Sequence, residues 1–194
     1  MTSEKPTRDE ALVLLQEFNQ SDILIRHALA VEAVMRHLAG RFGGDADEWG
    51  VVGLIHDVDF ERFPDQHLGK AREILADRGW PEKHIRAVLS HGWGICSDVE
   101  PVSDMEKALY AIDELTGLVA AAALVRPTRS VMDLTSKSVM KKWNNARFAA
   151  GVNRGVIEKG AAMLGMELTD LIDEVIAGMR AVAGEIGLAG QAGQ

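Results

Sequence analysis

The chain has 194 residues, 47% of them apolar and 26% charged, with a net charge of −8 and a single cysteine. Such a composition argues against disorder and rules out a disulfide framework, and the acidic balance excludes a duplex nucleic-acid surface, which needs clustered Lys and Arg. No apolar run reaches the roughly 18 uninterrupted residues of a membrane span, and the opening MTSEKPTRDEALVLL reads as a helix entry, so the expectation is one soluble domain in a reducing cytoplasm with no membrane partner.

In chain order, Thr7 and Glu10 form a capping box ahead of a first helix whose apolar face is Leu12, Leu14, Leu15 and Phe18, and Asn19-Gln20 breaks it. Ser21 is placed to cap a second helix, in which Ile23, Leu24, His27, Val31, Val34, Met35 and Leu38 recur at helical spacing up to Gly43-Gly44. Asp45 and Glu48 repeat the capping arrangement before Trp49, Val51, Val52, Leu54 and Ile55, an apolar helix that delivers His56 and Asp57 at its end. Residues 58–66 read as a loop, and a helix over 66–78 carries His67 in its first turn. Pro81 opens the next helix, with Ile85, Val88 and Leu89 on its apolar face beside His84 and His91.

Ser103 and Glu106 cap a long helix running through Leu124, with Asp113 in its apolar middle. Beyond Pro127 the chain turns basic, with Arg129, Lys137, Lys141, Lys142, Arg147 and Arg154 in one segment of an acidic protein. Two closing helices are expected near 153–164 and 169–187. No segment combines period-two alternation with β-branched residues, so the predicted fold class is all-α. The expected organisation is one helical domain over 1–188, with a core at 21–125, a basic helical extension at 129–187 and a disordered tail at 189–194.

His27, His56, Asp57, His67, His91 and Asp113 are imidazoles and carboxylates, the donors of a reactive Fe, Mn, Co, Ni or Zn site, whereas structural zinc recruits thiolates and Cys96 stands alone. A lone histidine is more often packed than ligating. His37, ten residues past His27, is turned well away from it, and His84 reads equally well as a buried neutral ring or a support to a ligand. Asp113, however, sits among Leu109, Tyr110, Ile112 and Leu115, where an unpaired carboxylate would pay several kcal/mol of desolvation that a cation removes. Phe60, Phe63 and Trp93 read as lids or packing at the mouth of such a cleft, Trp143 and Phe148 as anchors of the basic segment, and Glu32 with Arg36 as an i, i+4 ion pair or a support of the site.

The order His27, His56-Asp57, His67, His91, Asp113 resembles the HD superfamily of metal-dependent hydrolases, an all-helical group named for its adjacent His-Asp pair. VEAVMRHLA, HDVDFERFP, ALYAIDELTGL and SVMKKWNNARFAAGVNR are similar to short bacterial members of that superfamily. The resemblance implies that His27, His56, Asp57 and Asp113 hold one metal and that His67 and His91 add a second, with Asp57 bridging. Two positions depart from the common pattern: the loop reads HDVD where His-Asp-Ile-Gly is usual, and Gly92 follows His91 where many relatives have a polar residue.

The expected function is hydrolysis of a phosphate ester of a small molecule or nucleotide by water activated at one or two divalent ions (Mn, Fe, Co, Ni, Mg or Zn) on Asp57 and its neighbours, with self-association left open. Lys137, Lys141, Lys142 and Arg147 are the expected phosphate donors if their segment folds over the cleft; a solvated helix face is the other reading. Two further functions fit the same ligand order: an HD-fold di-iron oxygenase, and a non-catalytic domain that binds a nucleotide signal or a protein.

Overall fold

Three helix starts follow the local chemistry read from the sequence. In the computed structural model, which describes residues 5–190, Thr7 and Ser103 each cap the amide three residues on, while Glu10 and Glu106 reach back to the capping residue's own amide. Asp45 accepts the amides of Asp47 and Glu48. The resulting helices are α1 (Arg8–Phe18), α2 (Asp22–Phe42), α3 (Ala46–Ile55), a 3-10 turn at Pro64–Gln66, α4 (Gly69–Asp77), α5 (Glu82–Ser90), α6 (Asp104–Leu124), α7 (Ser136–Trp143), α8 (Arg154–Met163) and α9 (Leu168–Ala181). Among the described residues the β-type pairing consists of two isolated bridges, so the protein is all-α. No described helix is long and apolar enough to cross a membrane.

α3 is the centre of the molecule because it has no polar face between Trp49 and Ile55: all seven of those residues are buried. It lies against α2 along much of its length, with α1 and α5 on its other sides. α2 in turn packs on α6 and α9, and α8 packs on α6. Fully burying side chains such as Leu54 and Ile55 stabilises the fold by about 1.5–3 kcal/mol each, which fixes the helix end that carries His56. Two close approaches require glycine. A Cβ at Gly53 would stand 3.1 Å from the Val31 carbonyl and 3.2 Å from the Glu32 Cα, and one at Gly160 would stand 2.5 Å from the Ala111 Cα. These glycines let α3 and α8 seat directly on the backbones of the two long helices.

Several local expectations differ from what forms. Ser21 makes no side-chain cap on α2; instead Glu61 accepts the amides of Gln20 and Ser21 at 2.7 and 2.9 Å, so an acid from the loop after α3 holds the α1–α2 junction. The helix expected over 66–78 is interrupted by the 3-10 turn, which leaves His67 in extended backbone ahead of α4. Glu32 and Arg36 are not a plain surface pair: Glu32 is only 4% exposed and also receives Arg8 at 2.6 and 3.0 Å, which ties α1 to α2. The closing helix ends at Ala181, and residues 182–187 form turns. The tail expected to be disordered from 189 is held as far as it is described, because Val131 N donates to Leu188 O and Ser130 bridges Ala189. The expectation for 191–194, like that for the first four residues, lies outside the described residues.

Candidate metal centre

Five elements bring the six expected donors to one place. His27 comes from the first half of α2, Asp113 from the middle of α6, and His91 from the C-terminal cap of α5. His56 caps the C-terminus of α3 and is fully buried, with Asp57 beginning the turn that follows. His67 stands between the 3-10 turn and α4. The turn after α3 is itself clamped: buried Asn19, at the end of α1, donates to the carbonyls of Leu15 and Val58.

Asp57 is at the middle of the cluster and its two oxygens face opposite ways. Oδ2 lies 3.3 Å from His56 Nε2 and 4.0 Å from His27 Nε2, while Oδ1 lies 3.5 Å from both His67 Nε2 and His91 Nε2. Asp113 Oδ1 completes the first group, 2.9 Å from His27 Nε2 and 3.3 Å from His56 Nε2. Ligand atoms of His27, His56 and Asp57, of His56, His91 and Asp113, and of Asp57, His67 and His91 fall within 4.8 Å of one another in each trio, close enough to hold a metal ion.

The protonation pattern of the imidazoles follows from their other ring nitrogens. His56 Nδ1 is 2.8 Å from the Gly53 carbonyl and His91 Nδ1 is 2.6 Å from the Val88 carbonyl. A carbonyl oxygen can only accept, so both Nδ1 atoms carry the proton and donate it. His67 Nδ1 donates in the same way to Asp59 Oδ1 at 2.8 Å. In neutral rings this leaves the Nε2 lone pairs of His56, His67 and His91 directed at the carboxylates of the cluster, the orientation that ligating histidines take when a second hydrogen bond fixes their tautomer. His56 Nε2 is buried without a hydrogen-bond partner. A buried orphan acceptor is expensive, and a cation at this point would satisfy it.

Electrostatics points the same way. Burial disfavours the charged form of His56, yet the carboxylates of Asp57 and Asp113 outweigh it and hold its pKa well above 6.5. Burial likewise works to raise Asp57 and Asp113, but His56 with His91, and His56 with His27, hold the two carboxyls far below the usual carboxylate range. The pocket therefore draws positive charge, whether protons or a metal.

Asp59 and Glu114 were not singled out from the sequence. Asp59 is fully buried, and its second oxygen accepts the Ala71 amide at 2.8 Å, so it joins His67 to the start of α4. This carboxylate is what orients His67. Glu114 lines the cleft and accepts the Asn153 amide, with its pKa raised by burial and by neighbouring Asp113. Gly92 also has a physical role: a Cβ there would lie 2.4 Å from Leu68 Cδ1 and 2.6 Å from Cys96 Sγ. Leu68 itself adopts a left-handed φ of 66°, which a leucine accepts only under strain, and its buried side chain fills the space Gly92 leaves.

A cavity of about 300 Å³ opens over the donors, walled by Phe60, Ile95, Cys96, Glu114, Val152 and Val156. Larger surface grooves of about 740 and 510 Å³ contain none of the six donors. Lys137, Lys141, Lys142 and Arg147, expected to meet a phosphate, do not line the cleft. The buried face of α7 is Val139 and Trp143, which turns Lys137 and Lys141 outward; Lys142 instead lies over the Phe148 ring, and Arg147 is exposed. Trp143 is buried and Phe148 packs on the core, as anchors of this segment would. From the same region the cleft receives Val152 and Val156, and Lys159 sits 3.4 Å from the centroid of Trp93. His37 pairs with Glu174 and buried His84 with Glu48, both outside the cluster.

Fold and site together define an all-α protein with a buried His/Asp cluster able to hold a metal ion. No family model, curated protein or solved structure matches the chain.

Proposed function

We propose that this chain is a metal-dependent phosphohydrolase of the HD type, holding two divalent ions and cleaving a phosphate ester of a small molecule or nucleotide. One observation carries the reading: three imidazoles have their Nδ1 protons committed elsewhere, so their Nε2 lone pairs converge on an aspartate whose two oxygens face separate donor groups. In this reading His27, His56, Asp57 and Asp113 hold one ion, and Asp57, His67 and His91 the other. The resemblance of the ligand order to HD hydrolases supports the same division.

When bound, divalent ions supply Lewis acidity, acidifying water and drawing charge from phosphoryl oxygens. Four positive charges set against Asp57 and Asp113 leave about +2, which suits a phosphate dianion. The chain's own residues then fix the geometry. Asp57 spans the two donor groups, Asp59 and the carbonyls of Gly53 and Val88 hold the rings, and Phe60, Ile95, Val152 and Val156 limit access of bulk water. Because the four basic residues of the 137–147 stretch lie off the cleft, phosphate recognition would fall mainly to ions held by His27, His56, Asp57, His67, His91 and Asp113.

The test is a screen of phosphomonoesters and nucleotides with protein reconstituted separately with Mn, Co, Ni, Mg and Fe. Turnover that disappears in Asp57→Ala supports the proposal. Absence of phosphate release with every metal defeats it, and oxygen consumption by the iron-loaded protein would reassign the site to the oxygenase chemistry.

A further inference from the structure

A second cavity, of about 390 Å³, adjoins the metal cleft, and both lie in the range of small-molecule sites. It runs between the first half of α2 and the second half of α6, with Met179, Ile186 and Leu188 as its far wall. His27 and Gly117 line both cavities. Moving away from the metal donors, Ile23 and Leu24 lie one turn before His27, and Gly117, Ala120, Ala121 and Leu124 continue along α6 from Asp113 at helical spacing. From Gly117 to Leu124 is seven residues, or about 10 Å of helix. Apart from Arg26, His27 and Thr116 the lining is apolar. The Thr116 hydroxyl hydrogen is taken by the Ile112 carbonyl at 2.7 Å, and Arg26, though exposed, lines the wall with its guanidinium against Gly187. Ile23, 78% exposed, and Leu124, 46% exposed, extend the apolar surface to the outer end.

Gly117 is the informative residue. Glycine inside a helix weakens it, and at Gly53 and Gly160 the cost has a packing reason, whereas Gly40 near the end of α2 and Gly117 in α6 face open space. At Gly117 no atom lies within 4 Å of where a Cβ would be. What the missing side chain leaves clear is the junction of the two cavities.

We propose that the groove takes the hydrocarbon part, an alkyl or aryl chain, of the same substrate whose phosphate occupies the metal cleft. The inference rests on the phosphohydrolase reading, and the lining that the two cavities share at His27 and Gly117 is what assigns the groove to that molecule and not to a second copy of the chain. The substrate class is thus an amphiphilic phosphate ester.

The test is calorimetric titration of Mn-loaded protein with n-alkylphosphonates from methyl to octyl, which are not hydrolysed. Affinity should rise about fourfold per methylene while the chain lies in the groove. The ratio of octylphosphonate to methylphosphonate affinity should fall towards one in Ala120→Phe, which fills the groove, and decrease in Leu124→Glu, which places a charge at its exposed end; the second variant serves if the first does not fold. Equal binding at every length, with methylphosphonate bound, overturns this inference and leaves the phosphate reading in place. Length dependence that survives in both variants also overturns it, as does a dimer in sedimentation that Ala120→Phe disperses while chain length has no effect. If no phosphonate of any length binds, the phosphate reading fails and takes this inference with it.

Discussion

Asp59→Asn isolates the orientation of one ligand from the identity of the ligands. In the wild type the buried carboxylate accepts two hydrogen bonds, from His67 Nδ1 and from the Ala71 amide, each at 2.8 Å. An asparagine of the same shape offers one acceptor oxygen and turns an NH2 towards the other donor, so either His67 or Ala71 faces a donor in a fully buried site. Losing a charge-assisted bond and orphaning a buried donor together cost about 2–4 kcal/mol of stability. His67 is then no longer held with Nε2 towards Asp57 Oδ1, and support groups of this kind affect metal affinity by about 10–100-fold. The loss should fall on one ion only, because His27, His56 and Asp113 have no contact with Asp59 in their hydrogen bonding. Titration of chelator-stripped protein with Mn should show two equivalents in the wild type and, in the variant, one of unchanged affinity and one weakened; urea unfolding should show the stability loss. Two unchanged equivalents with an unshifted urea midpoint would show that Asp59 does not hold His67 in place.

Three other predictions rest on separate parts of the molecule. The raised pKa of His56 means that in metal-free protein its stabilising contribution is full below its unfolded value of about 6.5 and is lost as pH rises through the folded value, while Asp57 and Asp113 contribute above about 3.8 and lose that contribution only in strong acid. Metal displaces the imidazole proton, so the rise in melting temperature given by Mn should increase from pH 6 to pH 9; a constant or shrinking rise contradicts the proton competition. Gly160→Ala should cost about 1–3 kcal/mol through overpacking against Ala111, read as a lower melting temperature. Arg154 donates to the carbonyls of Trp143, Asn145 and Phe148, so Arg154→Ala should lower stability by about 2 kcal/mol and speed proteolysis within 144–152 while leaving metal stoichiometry intact.

The ligand set was legible in the sequence because its chemistry conflicts with its surroundings. Asp113 sits in an apolar helix and His56-Asp57 ends an apolar one, and both conflicts are resolved by bringing these residues together. Capping boxes at Thr7 and Ser103 were legible for a simpler reason, since both partners are three residues apart. Direction was harder to read. Lys137 and Lys141 share a helix face as their spacing says, but which face points inward is decided by Val139 and Trp143 packing beneath α7, a tertiary fact. The role of Asp59 is not legible in its charged loop because its partners, His67 and Ala71, come together only when the chain folds back after the 3-10 turn. Glu61 at the α1–α2 junction was missed likewise, being 40 and 41 residues from the amides it accepts. Asp59 and Gly92 act locally: Asp59 holds His67, and Gly92 makes room for Leu68 beside it.

In the proposed function Asp57 would serve two ions, one at each carboxylate oxygen. The most direct measurement is an anomalous-scattering map from crystals grown with Mn, collected on either side of the Mn absorption edge. Two peaks about 3.5–4 Å apart, one beside Asp57 Oδ2 with His27, His56 and Asp113 and the other beside Oδ1 with His67 and His91, are the predicted result. A map with one peak or none at Asp57, in crystals soaked to saturating Mn, would contradict it.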